Sequence, residues 1–301
     1  MLLSDLSELT ESVALTIGNF DGVHLGHHFL LEQVKKITNG NIPIAVMTFD
    51  PHPQLVLKSK TAFLVEDPGK KFELLHSAGV KYVVEVKFTR DFSTLSPKDF
   101  INEYILKSGK VKKIFLGHDF NFGSNKQGGI EDFIEVFQGK NVEIEKLKPL
   151  IHEGTIVSSS VIRDCINSGN VEKARIYLGR AFSLIGPVIK GAGRGKIIGF
   201  PTANIDYSKD RTLPKLGVYS TLTKYKGLTY KSVTNVGKNP TFGGDNINIE
   251  TNILDFDNDI YGERIEILFL KRIRDEVKFS NTNELVDQIK KDISTRKGFN
   301  D

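Results

Sequence analysis

Residues 13–31 place a short apolar run, a glycine-rich turn and a helical pattern in direct succession. The run VALTI predicts a buried strand, GNFDG predicts a turn, and helical spacing begins near Leu25. His24 and His27 stand at the start of that helix in the spacing His-x-Gly-His. Because a helix start offers unpaired N–H groups and a partial positive charge, it suits polyphosphate. A single histidine would only cap the helix, whereas two histidines flanking a glycine favour a nucleotide site.

The length and composition of the chain narrow its class. Its 301 residues predict about two domains, since single cores usually stop growing near ~250–300 residues. The net charge of +4 fits anionic small molecules as well as nucleic acid and decides neither. The one cysteine, Cys165, excludes an internal disulfide and a cysteine-based zinc cluster. The N-terminus does not resemble a signal peptide, and no apolar run approaches the ~20 residues of a membrane span, so we expect a cytoplasmic protein with no membrane partner.

The first half alternates short apolar runs with amphipathic stretches. This pattern predicts an α/β domain of the Rossmann-like kind, with a parallel sheet covered on both faces. Ligands of such sheets bind beyond the carboxyl ends of the strands. The predicted strands cover residues 13–17, 44–49, 82–86, 113–116 and 142–146, and the predicted helices cover residues 26–37, 69–77, 97–106 and 130–137.

Two further strand ends carry polar and aromatic side chains. The prolines of TFDPHP prevent the second strand from continuing, and we expect this turn to expose Asp50 and His52. A rigid turn and a ligand contact are both consistent with it. In GHDFNFG, Asp119 and Asn121 alternate with two phenylalanines. The aromatic rings could hold a flat ligand beside these hydrogen-bonding groups, or they could belong to the core.

The segment VSSSVIR places hydroxyls at a helix start with Arg163 one turn further on. Serines can cap the helix, while the planar guanidinium can reach a phosphate. Taken alone, a capping cluster with a surface arginine is the simpler interpretation.

Beyond Arg180, strand-like alternation replaces the helical period. Several short strands predict a mainly-β domain, a small antiparallel barrel that one C-terminal helix closes. We therefore place the domains at residues 1–182 and 183–301. The predicted strands cover residues 182–189, 217–224, 229–235, 248–256 and 264–270.

Three residues of this second half are candidates for chemistry. The segment GFPTAN offers the hydroxyl of Thr202 and the amide of Asn204 on one side of an extended chain. Both are suitable oxygen ligands for Mg²⁺, which keeps several waters and substrate phosphates as its other ligands. Glu250 lies inside an apolar strand pattern, where an acid more often faces solvent.

The motifs of the first half, GNFDGVHLGH, TFDPHP, GHDFNFG and VSSSVIR, resemble in this order the adenylyltransferase module of bacterial bifunctional riboflavin kinase/FAD synthetases. That module belongs to the nucleotidyltransferase superfamily marked by His-x-Gly-His. The resemblance implies that His24 and His27 contact ATP phosphates and steady the charge on the α-phosphorus as pyrophosphate leaves. It implies that Ser159, Ser160 and Arg163 close over the leaving phosphates. It assigns further ATP contacts to Gly18, Asn19, Phe20, Asp21 and Gly26, and FMN contacts to Asp50, His52, Asp119 and Asn121.

The motifs GRGKIIGFPTAN, LPKLGVYS, TNVGKNPTF, IETNILDFDNDIYGERI and FLKRIRDEVKF resemble, again in order, the riboflavin kinase module. The resemblance makes Thr202 and Asn204 the metal- and nucleotide-binding pair. It makes Glu250 the general base that takes the proton from the riboflavin 5′-hydroxyl. It assigns further ATP contacts to Gly193, Gly195 and Lys196, and a flavin contact to Arg274.

Together the two resemblances imply an enzyme that phosphorylates riboflavin to FMN and adenylylates FMN to FAD, using ATP and Mg²⁺. One alternative is a monofunctional FMN adenylyltransferase whose barrel only binds flavin as a regulatory module. Another is a nucleic-acid-binding protein, suggested by the pI of 8.9. A nucleic-acid-binding protein would cluster its lysines on one face, whereas the lysines of this chain are scattered through the sequence, which disfavours that class. We expect small-molecule substrates, no nucleic-acid partner, and a monomer or weak homo-oligomer.

Overall fold

The computed structural model describes residues 1–58, 61–124, 127–238 and 247–299. Part of the predicted TNVGKNPTF motif, at 239–242, lies outside the described residues. The chain forms two compact units, Met1–Ser159 and Ser160–Asp301. The boundary that the sequence places after residue 182 stays a prediction.

The first unit contains a six-stranded sheet in which every pair of neighbours is parallel. The strand order is β1-β4-β3-β2-β5-β6, which confirms the predicted α/β class. The strands are β1 (Leu2–Leu3), β2 (Val13–Ile17), β3 (Ile44–Asp50), β4 (Tyr82–Lys87), β5 (Val111–Leu116) and β6 (Glu143–Lys146). The helices are α1 (Leu25–Ile37), α2 (Pro53–Lys58), α3 (Pro68–Ser77), α4 (Pro97–Phe100) and α5 (Ile130–Val136), and a hairpin of β7 (Ile151–His152) and β8 (Thr155–Ile156) follows.

The central strand β2 is buried on both faces, as its continuous apolar run predicts. Val13, Leu15 and Ile17 of β2 join one apolar cluster, whereas Ala14 joins the other. All four side chains are at most 4% exposed. The central strand therefore has no solvated face, and only its ends can present groups to a ligand.

The predicted helix over residues 97–106 is not a single α-helix. After α4 the chain widens into a π-helical turn, Ile101–Ile105, and tightens into a 3-10 turn, Leu106–Ser108. Along this irregular path Phe100, Ile101 and Ile105 are all buried. Burial of these apolar side chains accompanies the departure from regular helix.

The second unit is a closed barrel with the strand order β10-β13-β12-β11-β14-β9. All its pairs are antiparallel, which confirms the predicted mainly-β class. Its strands are β9 (Phe182–Ile189), β10 (Ala203–Ile205), β11 (Gly217–Tyr225), β12 (Leu228–Lys238), β13 (Ile247–Ile253) and β14 (Arg264–Arg274). The helices of this half are α6 (Ser159–Asn167), α7 (Val171–Leu178), α8 (Arg194–Ile197) and α9 (Thr282–Lys297).

The burial of alternate residues along β13 shows which of its side chains face outward from the barrel. Ile249, Thr251 and Ile253 are buried, and Thr251 accepts a hydrogen bond from the Thr234 hydroxyl of β12 at 2.9 Å. Because successive side chains of a strand point to opposite faces, the alternate residues of β13 lie on its outer face. Glu250 is one of these.

Candidate active sites

The first candidate site lies at the carboxyl edge of the parallel sheet. Strand β2 pairs with β3 on one side and with β5 on the other. The three motifs that follow these strands therefore share one edge, as the sequence predicts. They are GNFDGVHLGH, TFDPHP and GHDFNFG.

The two histidines at this edge contact each other. His24 is the N-cap of α1, and its backbone N–H donates to His27 Nδ1 at 3.3 Å. The two rings stack with centroids 3.7 Å apart and 19° between their planes. Because Nδ1 accepts this bond, a neutral His27 ring carries its proton on Nε2 and can donate there. The pair thus adds a fixed donor to the N–H groups of the helix start.

Gly26 is the glycine of the His-x-Gly-His motif, and its surroundings leave no room for a side chain. A Cβ at this position would lie 2.7 Å from the Val157 carbonyl oxygen and 3.0 Å from two ring atoms of His24. Real Cβ atoms do not approach a backbone oxygen that closely, so a side chain would displace the stacked ring or the 157 backbone. The glycine is required by close packing.

The turn before α1 carries backbone strain. Phe20 and Val23 have positive φ values of 48° and 35°. For a β-branched residue this conformation is an outlier, and such strain concentrates at functional sites. Val23 is fully buried, so the surrounding packing maintains the conformation.

Hydrogen bonds attach the same turn to its neighbours. The Gly18 N–H donates to the Met47 carbonyl at 3.0 Å, and the Thr48 hydroxyl donates to the Asn19 carbonyl at 3.1 Å. Ser159 donates its hydroxyl to the Asp21 carbonyl at 2.8 Å. A serine of VSSSVIR is therefore in contact with GNFDG within the first unit.

The Asp21 side chain stabilises another segment. It is 4% exposed, and its carboxylate accepts hydrogen bonds from the N–H groups of Val65 at 2.9 Å and Glu66 at 3.2 Å. These bonds direct the carboxylate toward the chain that precedes α3. The predicted ATP contact of Asp21 stays a prediction.

Sequence reasoning missed Lys71, a buried lysine on α3. It is 8% exposed, donates to the Thr48 hydroxyl at 3.3 Å and lies 4.0 Å from the Glu85 carboxylate. Burial lowers the pKa of Lys71, although Glu85 and two aspartates oppose the shift. Through Thr48 this ammonium is connected to the Asn19 carbonyl. Lys71 precedes the buried Leu75 by one helical turn, which was the available sequence signal.

The turn TFDPHP was predicted to expose both polar residues, and half of that prediction is wrong. Asp50 is exposed, but His52 is only 8% exposed. His52 Nδ1 accepts the Gln54 N–H at 3.1 Å, and its ring lies 5.0 Å from that of Phe63. Because Pro53 begins α2, the histidine next to it accepts from the first turn of the helix and faces inward.

The motif GHDFNFG lies partly in the core and partly at the surface. Asp119 and Asn121 are exposed, and the Asn121 amide donates to the Asp119 carbonyl at 2.9 Å. Phe120 and Phe122 are half-buried and stack 5.4 Å apart. Both pack against the apolar cluster that contains Phe133. The rings belong to the edge of the core and are still partly accessible.

Ser160 and Arg163 fall in the second compact unit. Arg163 Nη1 lies 3.4 Å from the Ser160 hydroxyl on α6. Their predicted closure over leaving phosphates stays a prediction.

The second candidate site is an open cavity of about 370 Å³ on the outer face of the barrel. Asn204 of β10 lies directly opposite Glu250 of β13 in the strand register. The Thr202 hydroxyl lies 3.5 Å from Glu250 Oε2. The structure thus brings these three predicted residues together, and all of them line the cavity.

Glu250 lies on the outer face of β13, as its strand pattern favours, and is half-buried among the residues that line the cavity. Burial raises its pKa, while hydrogen bonds from Thr202 and Asn248 and the positive charge of Arg194 oppose the rise. A carboxylate with a raised pKa is a stronger base, which suits proton abstraction.

The glycine-rich loop packs closely against this cavity. Gly193 has a positive φ of 69° and precedes the single turn of α8. A Cβ at Gly195 would lie 2.4 Å from the Phe200 carbonyl oxygen and 3.3 Å from the Thr202 hydroxyl. Lys196 is exposed at the end of this turn. Only glycine allows the loop backbone to approach the Phe200 carbonyl this closely, two residues before Thr202.

Arg274 lines the cavity but is engaged with α9. Its guanidinium donates to the Asp292 carboxylate from Nε at 3.0 Å and from Nη2 at 2.7 Å. Asp292 is 3% exposed, and Arg274 also lies 5.9 Å from the centre of the Phe279 ring. The predicted flavin contact of Arg274 stays a prediction.

The donor set near Glu250 fits a hard cation. The Thr202 hydroxyl and the Asn204 amide oxygen are neutral oxygen ligands of the kind that Mg²⁺ uses beside phosphates. Among the described residues, no group of three or more His, Cys, Asp and Glu side chains is arranged to hold a metal ion. Within the same ranges, no helix is long and apolar enough to cross a membrane.

Two family models match the chain in succession. The FAD synthetase model matches residues 6–161 and the riboflavin kinase model matches residues 178–299. The second match leaves no support for a barrel of merely regulatory function.

The curated relatives and a solved structure cover nearly the whole chain. The bifunctional riboflavin kinase/FMN adenylyltransferase of Listeria monocytogenes is 36% identical, over 95% of this chain and 91% of that protein. Those of Bacillus subtilis and Escherichia coli are 36% and 34% identical, over 92% and 96% of this chain and 89% and 93% of those proteins. A Streptococcus pneumoniae structure described as a macrolide-efflux protein has a TM-score of 0.88 at 33% identity and covers 100% of this chain and 99% of that chain. That structure supports the fold, while the curated relatives agree with both family models. The chain belongs to the family of bifunctional riboflavin kinase/FMN adenylyltransferases.

Proposed function

We propose that the chain phosphorylates riboflavin to FMN in its C-terminal half and adenylylates FMN to FAD in its N-terminal half. One observation carries this proposal: the histidine pair lies in the first compact unit, whereas Thr202, Asn204 and Glu250 lie together in the second. His24 and His27 stack at the start of α1, and Glu250 lies opposite Asn204 in the barrel.

In the adenylyl transfer, a phosphate oxygen of FMN attacks the α-phosphorus of ATP. The new P–O bond forms as the bond to the β-phosphate oxygen breaks, and pyrophosphate leaves. The attacking phosphate is already anionic, so the protein supplies alignment and charge stabilisation. His24, His27 and the N–H groups of α1 stabilise the phosphates. Arg163 and the serines of VSSSVIR close over the departing pyrophosphate, while FMN lies toward the TFDPHP and GHDFNFG turns.

In the kinase reaction, Glu250 accepts the proton of the riboflavin 5′-hydroxyl. The resulting oxygen attacks the γ-phosphorus of ATP, and ADP leaves. Thr202 and Asn204 would hold Mg²⁺, which would neutralise part of the phosphate charge. The close approach of Gly195 to Thr202 supports the glycine-rich loop, with Lys196, as the ATP cover. Arg274 then approaches the flavin.

We also propose that the functional domains divide near residue 182. The family matches end at residue 161 and resume at residue 178, which supports a junction in this part of the chain. The predicted cytoplasmic location and the monomeric or weakly oligomeric state remain predictions.

Separation of the two activities tests the proposal. Riboflavin, ATP and Mg²⁺ are incubated with the protein, and the flavins are separated by chromatography. Glu250→Gln should lower FMN formation by about 10²–10⁴-fold and leave FMN-to-FAD conversion intact. His27→Ala should lower FAD formation by about 10²–10³-fold and leave FMN formation intact. A single substitution that removed both activities from a folded protein would contradict two independent sites.

A further inference from the structure

Asn248 lies two residues before Glu250 on β13 and shares its face of the strand. Its Nδ2 donates to Asn204 Oδ1 at 2.8 Å and to Glu250 Oε1 at 2.7 Å. An amide nitrogen carries two hydrogens, so one group can make both bonds. Asn248 therefore bridges a proposed metal ligand and the proposed base.

We propose that Asn248 is the positioning residue of the kinase site, fixing Asn204 and Glu250 in one mutual orientation. This inference rests on the proposed riboflavin kinase activity and adds a residue to it. Asn248 acts through its two neighbours and is assigned no contact with substrate.

The first effect of Asn248 is on the Asn204 amide. Its donation requires the oxygen of that amide to face the Glu250 side. The opposite end of the amide is also constrained, since a Cβ at Gly191 would lie 2.3 Å from Asn204 Nδ2. The loop backbone therefore packs against the nitrogen while Asn248 holds the oxygen. An amide held at both ends presents its oxygen to a cation in one direction.

The second effect is on the Glu250 carboxylate. Oε1 accepts from Asn248 at 2.7 Å, and Oε2 lies 3.5 Å from the Thr202 hydroxyl. With a donor at each oxygen, rotation of the carboxylate is restricted, and each oxygen keeps further acceptor capacity for a substrate hydroxyl. Both donors face the same carboxylate, but the bond from Asn248 is much shorter, so it contributes more to this restraint.

The neighbouring strand leaves Asn248 free to lean toward β10. Its cross-strand partner on β12 is Gly237, which has no side chain. A Cβ at Gly237 would lie 2.3 Å from a Glu276 carboxylate oxygen and 2.8 Å from the Asn235 amide nitrogen. The glycine leaves room at this position for the Glu276 carboxylate and the Asn235 amide.

Asn248→Leu is the direct test, because leucine has nearly the same branched shape and no donor. Removing a residue that hydrogen-bonds a metal ligand without touching the metal typically lowers metal affinity or activity by about 10–100-fold. We expect kcat for riboflavin phosphorylation to fall by that factor, and the affinity for Mg²⁺-ADP, measured by calorimetry without turnover, to fall about tenfold. Riboflavin affinity, measured by fluorescence quenching, and FMN adenylylation should stay at the parental values.

Asn248→Asp separates hydrogen bonding from packing. It keeps the shape but replaces the donor with an acceptor beside Glu250, so its kcat should fall at least as far as that of Asn248→Leu. Asn170→Ala is the matched control, since the exposed Asn170 accepts the Lys173 N–H at 3.0 Å as the cap of α7. It removes one asparagine hydrogen bond from the same unit and should retain kinase activity.

Parental kcat and parental Mg²⁺-ADP affinity in Asn248→Leu would overturn the inference. Full activity in Asn248→Asp would overturn it too, because packing alone would then be sufficient. The inference would also be overturned if Asn170→Ala lost as much kinase activity as Asn248→Leu and the two variants showed equal falls in Tm. If the parent failed to phosphorylate riboflavin, the proposed function would fail, and the Mg²⁺-ADP comparison would still decide whether Asn248 orients the site.

Discussion

Gly26→Ala should separate the geometry of the histidine pair from the stability of its helix. Alanine at an ordinary helical position is favoured over glycine by up to about 1 kcal/mol. Here the added Cβ would lie 2.7 Å from the Val157 carbonyl oxygen and 3.0 Å from the His24 ring. Overpacking of this kind costs about 1–3 kcal/mol, so the net loss of stability is about 0–2 kcal/mol. The protein should remain folded.

The catalytic effect should be much larger than the effect on stability. A misplacement of about 1 Å in a catalytic group costs about 10²-fold in rate. Because His24 stacks on His27, a shifted ring disturbs both proposed phosphate contacts. We expect kcat for FAD formation from FMN and ATP to fall about 10²-fold, with FMN formation unchanged in the same preparation.

Gly69→Ala is the matched control, since Gly69 is the second residue of α3 as Gly26 is of α1. Its added Cβ would meet only an Asp67 carboxylate oxygen, at 3.4 Å. This variant should keep both activities and gain up to about 1 kcal/mol of stability in urea unfolding. The reasoning is refuted if Gly26→Ala forms FAD at the parental rate, or if Gly69→Ala loses that activity equally.

Further predictions concern the buried Lys71 and the half-buried Arg274. Lys71→Met removes the bond to Thr48 and should lower the free energy of unfolding by about 1–3 kcal/mol and raise the KM for ATP in FAD formation, whereas Lys36→Met, at an exposed position of α1, should do neither. Burial lowers the pKa of folded Lys71 below its usual 10.5, so between the folded pKa and 10.5 the unfolded chain binds more protons than the folded chain. In that pH range the free energy of unfolding of the parent should rise with pH relative to that of Lys71→Met. Equal pH slopes of the two proteins in urea titrations would contradict this. Arg274→Lys loses the paired bonds to the buried Asp292 and should cost about 1–3 kcal/mol in thermal unfolding and raise the KM for riboflavin; an unchanged Tm would contradict a role for this pair in stability.

The sequence predicts the edge of the parallel sheet well because local patterns determine it. Apolar runs define the strands, and parallel pairing then requires their carboxyl ends to meet. GNFDGVHLGH, TFDPHP and GHDFNFG could therefore be assigned to one place before any contact was known. In the barrel, the period of two correctly places Glu250 opposite the side that packs inward, and Asn248 shares that pattern.

Side-chain direction is less predictable because it depends on partners distant in sequence. The Asp21 carboxylate is directed by N–H groups at residues 65 and 66, which no spacing within GNFDG indicates. His52 was expected at the surface, but the start of α2 and the Phe63 ring turn it inward. A lysine on a surface helix is ordinarily exposed, and Lys71 is buried only because α3 packs on the sheet. Each of these outcomes follows from long-range contacts.

The chemistry of each attacking group accounts for the different residues of the two sites. A phosphate oxygen needs no base near neutral pH, so an adenylyl-transfer site benefits from imidazoles, N–H groups and guanidinium, while a nearby carboxylate would repel both substrates. The Asp21 carboxylate is occupied by two backbone N–H groups, which reduces that repulsion. A flavin hydroxyl must lose its proton to attack, so the kinase site needs a carboxylate, and burial raises the pKa of Glu250 toward that task. A half-buried carboxylate is costly unless donors hold it, and the amide of Asn248 and the hydroxyl of Thr202 lie within reach of Glu250 to do so. If Glu250 is the base of the proposed kinase reaction, these two donors are what allow a carboxylate to remain ionised beside the phosphates of ATP.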